Sequence, residues 1–397
     1  MDKLLNKKDW PVVRFGDVVK NVNETERAPL KAGLERFVGL DCLDPENLRI
    51  SRWGMIADGT SFTKRFRKGQ VLFGKRRAYQ RKVAVTEWDG ICSGDILTFE
   101  PKDDKLLPEL LPFIVQSDSF FEHALGTSAG SLSPRTKWTL LKEYEFPLPP
   151  KQEQKKIAGI LWATENSINN YVSLADRAKK AQTAYENDIL KLGVLLKKET
   201  KLPTGWKMGF LSELVHIDPK VPKELPMNKD VSFVTMADIA ELGGIMNQEE
   251  RQVSEVRKGF TYFAEGDVLF AKITPCMENG KGAIAKGLKN KNGFGSTEFF
   301  VLRPKDKNDT DFAYHVSMSP LFRIMAKRWM RGSAGQLRVP KDFFEQWPIA
   351  IPPATERKKI ANLLNQYSKS IDFALCNIAK QKELQKSLRE QILCKEN

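Results

Sequence analysis

PLPPKQEQKKIAGIL occupies residues 147–161, and IAIPPATERKKIANLL occupies residues 349–364 of the same 397-residue chain. Pro149 and Pro150 answer Pro352 and Pro353, Glu153 answers Glu356, and Lys155-Lys156-Ile157-Ala158 recurs as Lys358-Lys359-Ile360-Ala361. Proline is excluded from a helix interior but tolerated just before or at its first turn, where its fixed φ is already helical. Each copy therefore predicts a helix that starts at a double proline. After the first junction the chain has no proline up to Leu196, and after the second it has neither proline nor glycine. Both segments follow alternating steps of four and three: Ile157, Leu161, Thr164, Ile168, Tyr171, Ala175, Ala178, Gln182, Tyr185 and Ile189 in the first, and Ile360, Leu364, Tyr367, Ile371, Ala374, Ile378, Gln381, Gln385, Leu388 and Ile392 in the second. That spacing is the coiled-coil period. Alanines and glutamines interrupt both seams, so each is expected to need the other, paired antiparallel. The competing reading, two ordinary amphipathic helices each packed on its own domain, is disfavoured by the length over which the pattern persists.

The repeat extends well beyond the junctions. WPVVRFGDV (10–18) answers WKMGFLSEL (206–214), FVGL (37–40) answers FVTM (233–236), GQVLFGK (69–75) answers GDVLFAK (266–272), and SAGSL (128–132) answers SAGQL (333–337), all in the same order. The chain is thus a tandem duplication of a unit near 200 residues, too long for a solenoid repeat. Before each double proline the texture is one of short apolar runs broken by Gly, Pro, Asn and Asp, which predicts strands and turns mixed with a few helices. The expected fold is α+β. Two mixed α/β domains, residues 1–150 and 201–353, alternate with two long helices, 151–200 and 354–397, in a pseudo-twofold arrangement around an antiparallel coiled coil.

The net charge of +14 points to a polyanionic partner. No apolar run approaches the ~18–20 residues that span a bilayer, and the first ten residues lack a signal-peptide core. The five cysteines are odd in number and scattered, without metal-ligand or disulfide spacing, so a reducing cytoplasm is expected. The three histidines, His123, His216 and His315, stand in unrelated contexts and are expected to be structural or surface residues.

Charge is concentrated between residues 59 and 86, where nine basic residues occur without an acid: Lys64, Arg65, Arg67, Lys68, Lys75, Arg76, Arg77, Arg81 and Lys82. Phe62, Phe66, Phe73 and Tyr79 are interleaved with them. Like charges repel unless an anion relieves them, and arginine forks suit phosphate and guanine edges alike. In the second half Lys272, Lys281, Lys286 and Lys289 flank TPCMENGKGAIAKG (274–287), and Arg328, Arg331 and Arg338 follow. Arg135 and Lys137 stand beside the first Ser-Ala-Gly loop, Arg331 and Arg338 beside the second. All of these except Lys68 and Lys82 form the candidate DNA-binding set. The bland readings are solvated charge and a tight turn that needs glycine.

Signals for chemistry fail. Gly280 to Ala285 resembles a degenerate dinucleotide fingerprint, but no strand–helix context with a ribose-binding acid accompanies it. Glu100 and Lys102 with Asp89 or Asp95 make a weak nuclease-like acid–acid–lysine set, and Pro101 argues against one strand presenting both. No Asn/Asp-Pro-Pro-aromatic motif and no nucleophile elbow is present. No cofactor, metal ligand set or catalytic residue is expected.

The two junctions, the strand GDVLFAKITPCMENGKGA (266–283) and the two SAG loops resemble the specificity (S) subunit of type I restriction–modification enzymes, over essentially the whole chain. That resemblance implies two target-recognition domains, each reading half of a split DNA sequence, and long helices that set the unread gap. It further implies docking of two methyltransferase subunits on those helices, with motor/nuclease subunits joining through them, while catalysis of adenine methylation and cleavage resides in the partners. Where the second half has AKITPCMENGKG, the first reads GKRRAYQRKVAV, so the target is expected to be asymmetric. The alternatives are a nucleic-acid recognition scaffold of another defence complex, or, in a different class, a nuclease.

Overall fold

A computed structural model describes residues 10–130, 133–194, 202–241, 243–333 and 335–393. Ser131, Leu132 and Ala334 of the Ser-Ala-Gly loops, the end of the first long segment at Leu196 and Cys394 lie outside the described residues. The chain forms two compact units, one of Met1–Tyr171 with Cys376–Asn397 and one of Val172–Leu375. The two predicted long helices are present, a central one at Lys151–Val194 and a C-terminal one at Ala354–Leu393.

The first unit contains β1 (Val12–Arg14), β2 (Val19–Val22), β3 (Arg36–Val38), β4 (Gly54–Met55), β5 (Lys64–Phe66), β6 (Val71–Gly74), β7 (Val83–Val85), β8 (Gly90–Cys92), β9 (Ile96–Pro101) and β10 (Glu145–Pro147). They form an antiparallel sheet in the order β2-β9-β6-β7, a second sheet in the order β4-β3-β8-β5, and the pair β1-β10. In the second sheet only β3 and β8 run parallel.

The second unit contains β11 (Lys207–Phe210), β12 (Val215–Ile217), β13 (Asp230–Val234), β14 (Glu249–Gln252), β15 (Thr261–Ala264), β16 (Val268–Ala271), β17 (Gly282–Ile284), β18 (Asn292–Gly295), β19 (Phe299–Pro304) and β20 (Pro348–Ile351). Its sheets are β12-β19-β16-β17 and β14-β13-β18-β15, with the pair β11-β20 and one parallel contact, β13 to β18. Strand for strand, this is the topology of the first unit.

The apolar runs VLFG and VLFA become β6 and β16, every residue of which is buried. Side chains alternate across a strand, so such a run serves two cores at once. Val71 and Phe73 enter a cluster with Phe99, Phe113, Phe120 and Phe146, while Leu72 enters another with Val38, Phe66 and Cys92. Val268 and Phe270 likewise divide from Leu269 in the second unit.

The junctions fasten each long helix to the domain before it. In the first unit Ile157, Ala158 and Leu161 belong to the domain core, as Ile360, Ala361 and Leu364 do in the second. Each helix start is also latched by one polar side chain at the same place. Gln154 Nε2 donates to the Pro149 and Lys105 carbonyls, both at 2.8 Å, and its Oε1 accepts from Leu107 N–H at 2.8 Å. Arg357 donates to the Pro352 carbonyl at 2.8 Å and pairs with Asp309 through two bonds of 2.7 and 2.8 Å.

Beyond the junctions the seam residues turn inward. Ile157, Leu161, Ile168, Ile189, Ile360 and Leu364 are buried, and Ala175, Tyr185, Ile371, Ile378 and Leu388 half-buried. In the first unit Gln385 Nε2 donates to Glu165 Oε2 at 2.9 Å. Further along the C-terminal helix, Leu388 and Ile392 join Ile157, Ala158 and Leu161, which lie further back on the central one, so the two helices run antiparallel. Glu165 and Gln385 are 3% and 5% exposed, and a polar pair of this kind is satisfied in one register only. Gln385→Ala strips Glu165 of that donor and leaves Asn169 at 3.3 Å as its remaining side-chain donor. The expected loss is about 1–3 kcal/mol, read from the urea midpoint; an unchanged midpoint would show that water replaces the amide.

Candidate nucleic-acid interface

The acid-free run of the first half is not acid-free in space. Arg65 pairs with Asp89, Arg67 with Glu24, Arg76 with Asp95, and Arg81 with Glu46 and Asp118. Lys64 Nζ donates to the Ile96 carbonyl at 2.9 Å, and burial pushes its ammonium down. Lys82 Nζ donates to the Leu40 carbonyl at 2.6 Å. Among the described residues Lys68, Lys75 and Arg77 keep side chains with no hydrogen bond or ion pair, and so does Lys137.

Lys75, Arg77 and Lys137 are brought to one place by a fold-back. On either side of the first Ser-Ala-Gly loop Ala129 and Arg135 exchange backbone hydrogen bonds, and Arg135 bridges Arg76 just beyond the end of β6. Arg77 N–H donates to the Pro134 carbonyl at 2.8 Å and Thr136 N–H to the Lys75 carbonyl at 3.0 Å. Among the described residues one carboxylate, Asp95, takes both arginines. Arg135 Nε reaches it at 2.9 Å and Arg76 Nη1 at 3.5 Å. The Arg135 guanidinium beside it holds the Asp95 carboxyl below its ordinary range. Lys75, Arg77 and Lys137 are left around this clamp. Gly130, at φ 114, takes the turn conformation that favours glycine.

The second half repeats the backbone pairing of the clamp and one of its two side-chain contacts. Arg338 bridges Arg331 and Ile273, Thr274 N–H donates to the Leu337 carbonyl at 3.0 Å, and Val339 N–H donates to the Lys272 carbonyl at 2.9 Å. Arg338 grips Glu298 with two bonds of 2.9 and 2.8 Å and holds that carboxyl below its ordinary range. Arg331 pairs with Asp342, Lys289 with Glu250, and Lys286 lies 4.0 Å from Asp311. Lys281 Nζ donates to the Met236 carbonyl at 2.8 Å. Lys272 lies over the Phe300 ring at 4.9 Å, and Arg328 is exposed beside Met325, without an acid partner among the described residues.

Of the candidate set, then, Arg135 and Arg338 pair with the carboxylate beside each loop, Arg65 and Arg81 pair with acids, and Lys64 and Lys281 donate to backbone carbonyls. Asp95 and Glu298, absent from that set, organise both patches. Their sequence signal is that acid and arginine recur at one common interval in the two copies.

No nuclease geometry forms around Glu100. Pro101 ends β9 without breaking it, but Glu100 is taken by Lys20 at 2.7 Å and by Gln70 at 2.6 Å, while Asp89 caps the Lys68 N–H. The NGKG segment is likewise a bound turn. Arg323, 7% exposed and pushed down to about 10 by burial, donates to the Met277 and Lys281 carbonyls at 2.6 and 3.1 Å. Among the described residues no group of three His, Cys, Asp or Glu is placed to hold a metal, and no helix is long and apolar enough to cross a membrane.

The duplicated clamps in different surroundings mark a two-part, internally repeated protein. Residues 7–174 and 203–385 each match the type I restriction modification DNA specificity domain. The chain belongs to that family. It is 39% identical over 196 residues to the type I restriction enzyme EcoEI specificity subunit of Escherichia coli, covering 48% of this chain and 33% of that protein. It is 37% identical over 214 residues to the EcoAI specificity subunit of the same organism, covering 52% of this chain and 35% of that protein. The chain thus spans about a third of the length of these curated relatives. The crystal structure of a type I restriction-modification system S subunit from M. genitalium superposes with a TM-score of 0.66, covering 100% of this chain and 99% of that one; at 14% identity the likeness is one of fold.

Proposed function

We propose that this chain is the DNA-specificity subunit of a type I restriction–modification complex. The observation that carries the reading is the separate match of each repeat copy to the specificity domain, over residues 7–174 and 203–385. Residues 1–150 and 201–353 are the two target-recognition domains, and 151–200 and 354–397 are the helices that space them. Two methyltransferase subunits dock on those helices, which offer nearly the same junction twice, and motor/nuclease subunits join through them in the cytoplasm. The chain itself performs no reaction; it selects where adenine methylation and cleavage occur. Lys75, Arg77 and Lys137 face double-stranded DNA in the first half, Lys272 and Arg328 in the second.

Phosphate contacts fix position without reading sequence, and each one displaces counterions. Lys75→Ala and Lys137→Ala are therefore expected to weaken binding to every duplex alike and to lower the slope of log affinity against log salt by about one each. Slopes unchanged in both variants would remove these lysines from the interface. The reading as a whole is tested by mapping methylated adenines in DNA exposed to the assembled complex. Two fixed blocks at constant spacing are expected, and methylation without a bipartite pattern would overturn it.

A further inference from the structure

We infer that the connectors 76–81 and 273–280 are the specificity-determining tips of the two halves, and that Arg77 and Tyr79 read bases in the first. The inference rests on the DNA-specificity reading and adds to it which residues discriminate. Both connectors leave the sheet on the same fittings. Lys75 N–H donates to the Asp95 carbonyl at 3.0 Å and Lys272 N–H to the Glu298 carbonyl at 2.9 Å. Both return on a lysine whose ammonium is spent inside the fold, Lys82 on Leu40 and Lys281 on Met236. At that return Gly74 N–H bonds the Lys82 carbonyl and Ala271 N–H the Lys281 carbonyl. Between these shared anchors nothing matches: RRAYQR stands in one and ITPCMENG in the other. Constant mountings with unlike inserts are what two readers of unlike sequences require.

The first insert is rigid. Arg77 and Arg81 both adopt left-handed backbone, at φ 54 and 53, a conformation that side-chain-bearing residues rarely take and that persists only where contacts enforce it. Arg81 supplies that enforcement through Glu46, Asp118 and the Gln116 carbonyl, and its guanidinium lies 4.5 Å from the Phe121 ring. Ala78 is 1% exposed and plugs the turn into the core. Tyr79 is consequently held out at 55% exposure, on the rim of an open groove shared with Asp44, Glu46 and Arg52. Beside it the exposed Arg77 keeps a whole guanidinium fork without a partner among the described residues. A fork of this kind matches O6 and N7 of guanine, whereas lysines such as Lys75 and Lys137 act on phosphate as point charges. The second insert offers exposed Pro275 and Asn279 and no cation, so it must discriminate by other contacts.

The test selects a randomised duplex library with the full chain bound to its methyltransferase subunits. Arg77→Ala and Tyr79→Ala are each expected to relax preference by about 10- to 100-fold at one or two adjacent positions of one block. The other block should be unchanged, and so should the melting temperature, because both side chains stand in solvent. Arg77→Lys should not restore the preference, since an ammonium cannot make the paired contact. Variants that select the wild-type profile in both blocks overturn the inference and leave the specificity reading standing. A wild-type complex that selects no sequence overturns both.

Discussion

Replacing Arg357 by alanine is expected to lower the stability of the second unit by about 3–5 kcal/mol, because it strands a buried carboxylate. Asp309 is 5% exposed and its partner guanidinium 12% exposed, and the two are joined by bonds of 2.7 and 2.8 Å. The same arginine closes the Pro352 carbonyl at 2.8 Å, so the substitution unlatches the C-terminal helix from the strand that feeds it. A melting temperature lower by roughly 10 °C is expected for a unit of this size. The cause is separable from lost packing. Arg357→Ala combined with Asp309→Ala removes the stranded charge and should cost less than Arg357→Ala alone, a non-additive result. Equal losses in the single and double variants would sink the account. At the same place in the first unit the latch is neutral, since Gln154 bonds the Pro149 and Lys105 carbonyls. Gln154→Ala strands polar groups but no charge, so the expected loss there is smaller, about 1–3 kcal/mol.

This latch explains why the double-proline junction is written twice. Each copy ends a domain on a buried strand and then starts a helix whose first turns are both packed and hydrogen-bonded to that same domain. The helices were legible because proline exclusion and a sustained four-three spacing are local properties of the chain. The seam positions are buried or half-buried. The strands β6 and β16 were legible for a similar reason: short apolar runs bounded by glycine have few other uses. The parallel pairings of β3 with β8 and β13 with β18 were not, because they join segments far apart in sequence that share no local pattern.

The charged residues divide along the same line. Composition between residues 59 and 86 contains no acid, yet Glu24, Asp89, Asp95, Glu46 and Asp118 fold onto that stretch from either side. A run of one sign therefore predicts where positive charge begins in sequence and says little about where it remains unpaired in space. Arg135 and Arg338 illustrate the difference. Their proximity to glycine loops reads as phosphate binding, and in the structure each also pairs with a carboxylate, Asp95 or Glu298. The internal repeat held the missing clue, since Asp95 with Arg135 recurs as Glu298 with Arg338 in the same order. Buried Glu165, Glu186 and Arg389 interrupt the helical seam in a way that hydrophobic patterning cannot anticipate.

Glu186→Gln is expected to stabilise the second unit by about 3 kcal/mol at pH 8 and by less than about 1 kcal/mol at pH 5. Glu186 is 6% exposed in a pocket formed with Ile189, Phe312, Ile360 and Leu364, and burial pushes its carboxyl up to about 7. Gln182 donates to it at 3.0 Å, but no arginine or lysine among the described residues pairs with it. His315 Nδ1 lies 3.9 Å from it; burial pushes that imidazole down, against the charged form, and its Nε2 meets Asn365 Oδ1 at 2.8 Å. Between the ordinary glutamate value near 4.5 and about 7 the folded state holds a proton that the unfolded state has released. Stability from this group therefore falls as pH rises through that window and levels off above it. His315 acts in the opposite sense: with its imidazole pushed down by burial, it costs stability as pH falls below its ordinary value of 6.5. Glutamine keeps the shape and the contact with Gln182 while removing the titration, so the difference between variant and wild type isolates the carboxylate. Urea midpoints of both proteins at the two pH values measure it. A gain of equal size at pH 5 and pH 8 would mean that packing, and not a buried charge, sets the cost of this residue at the helix–domain boundary.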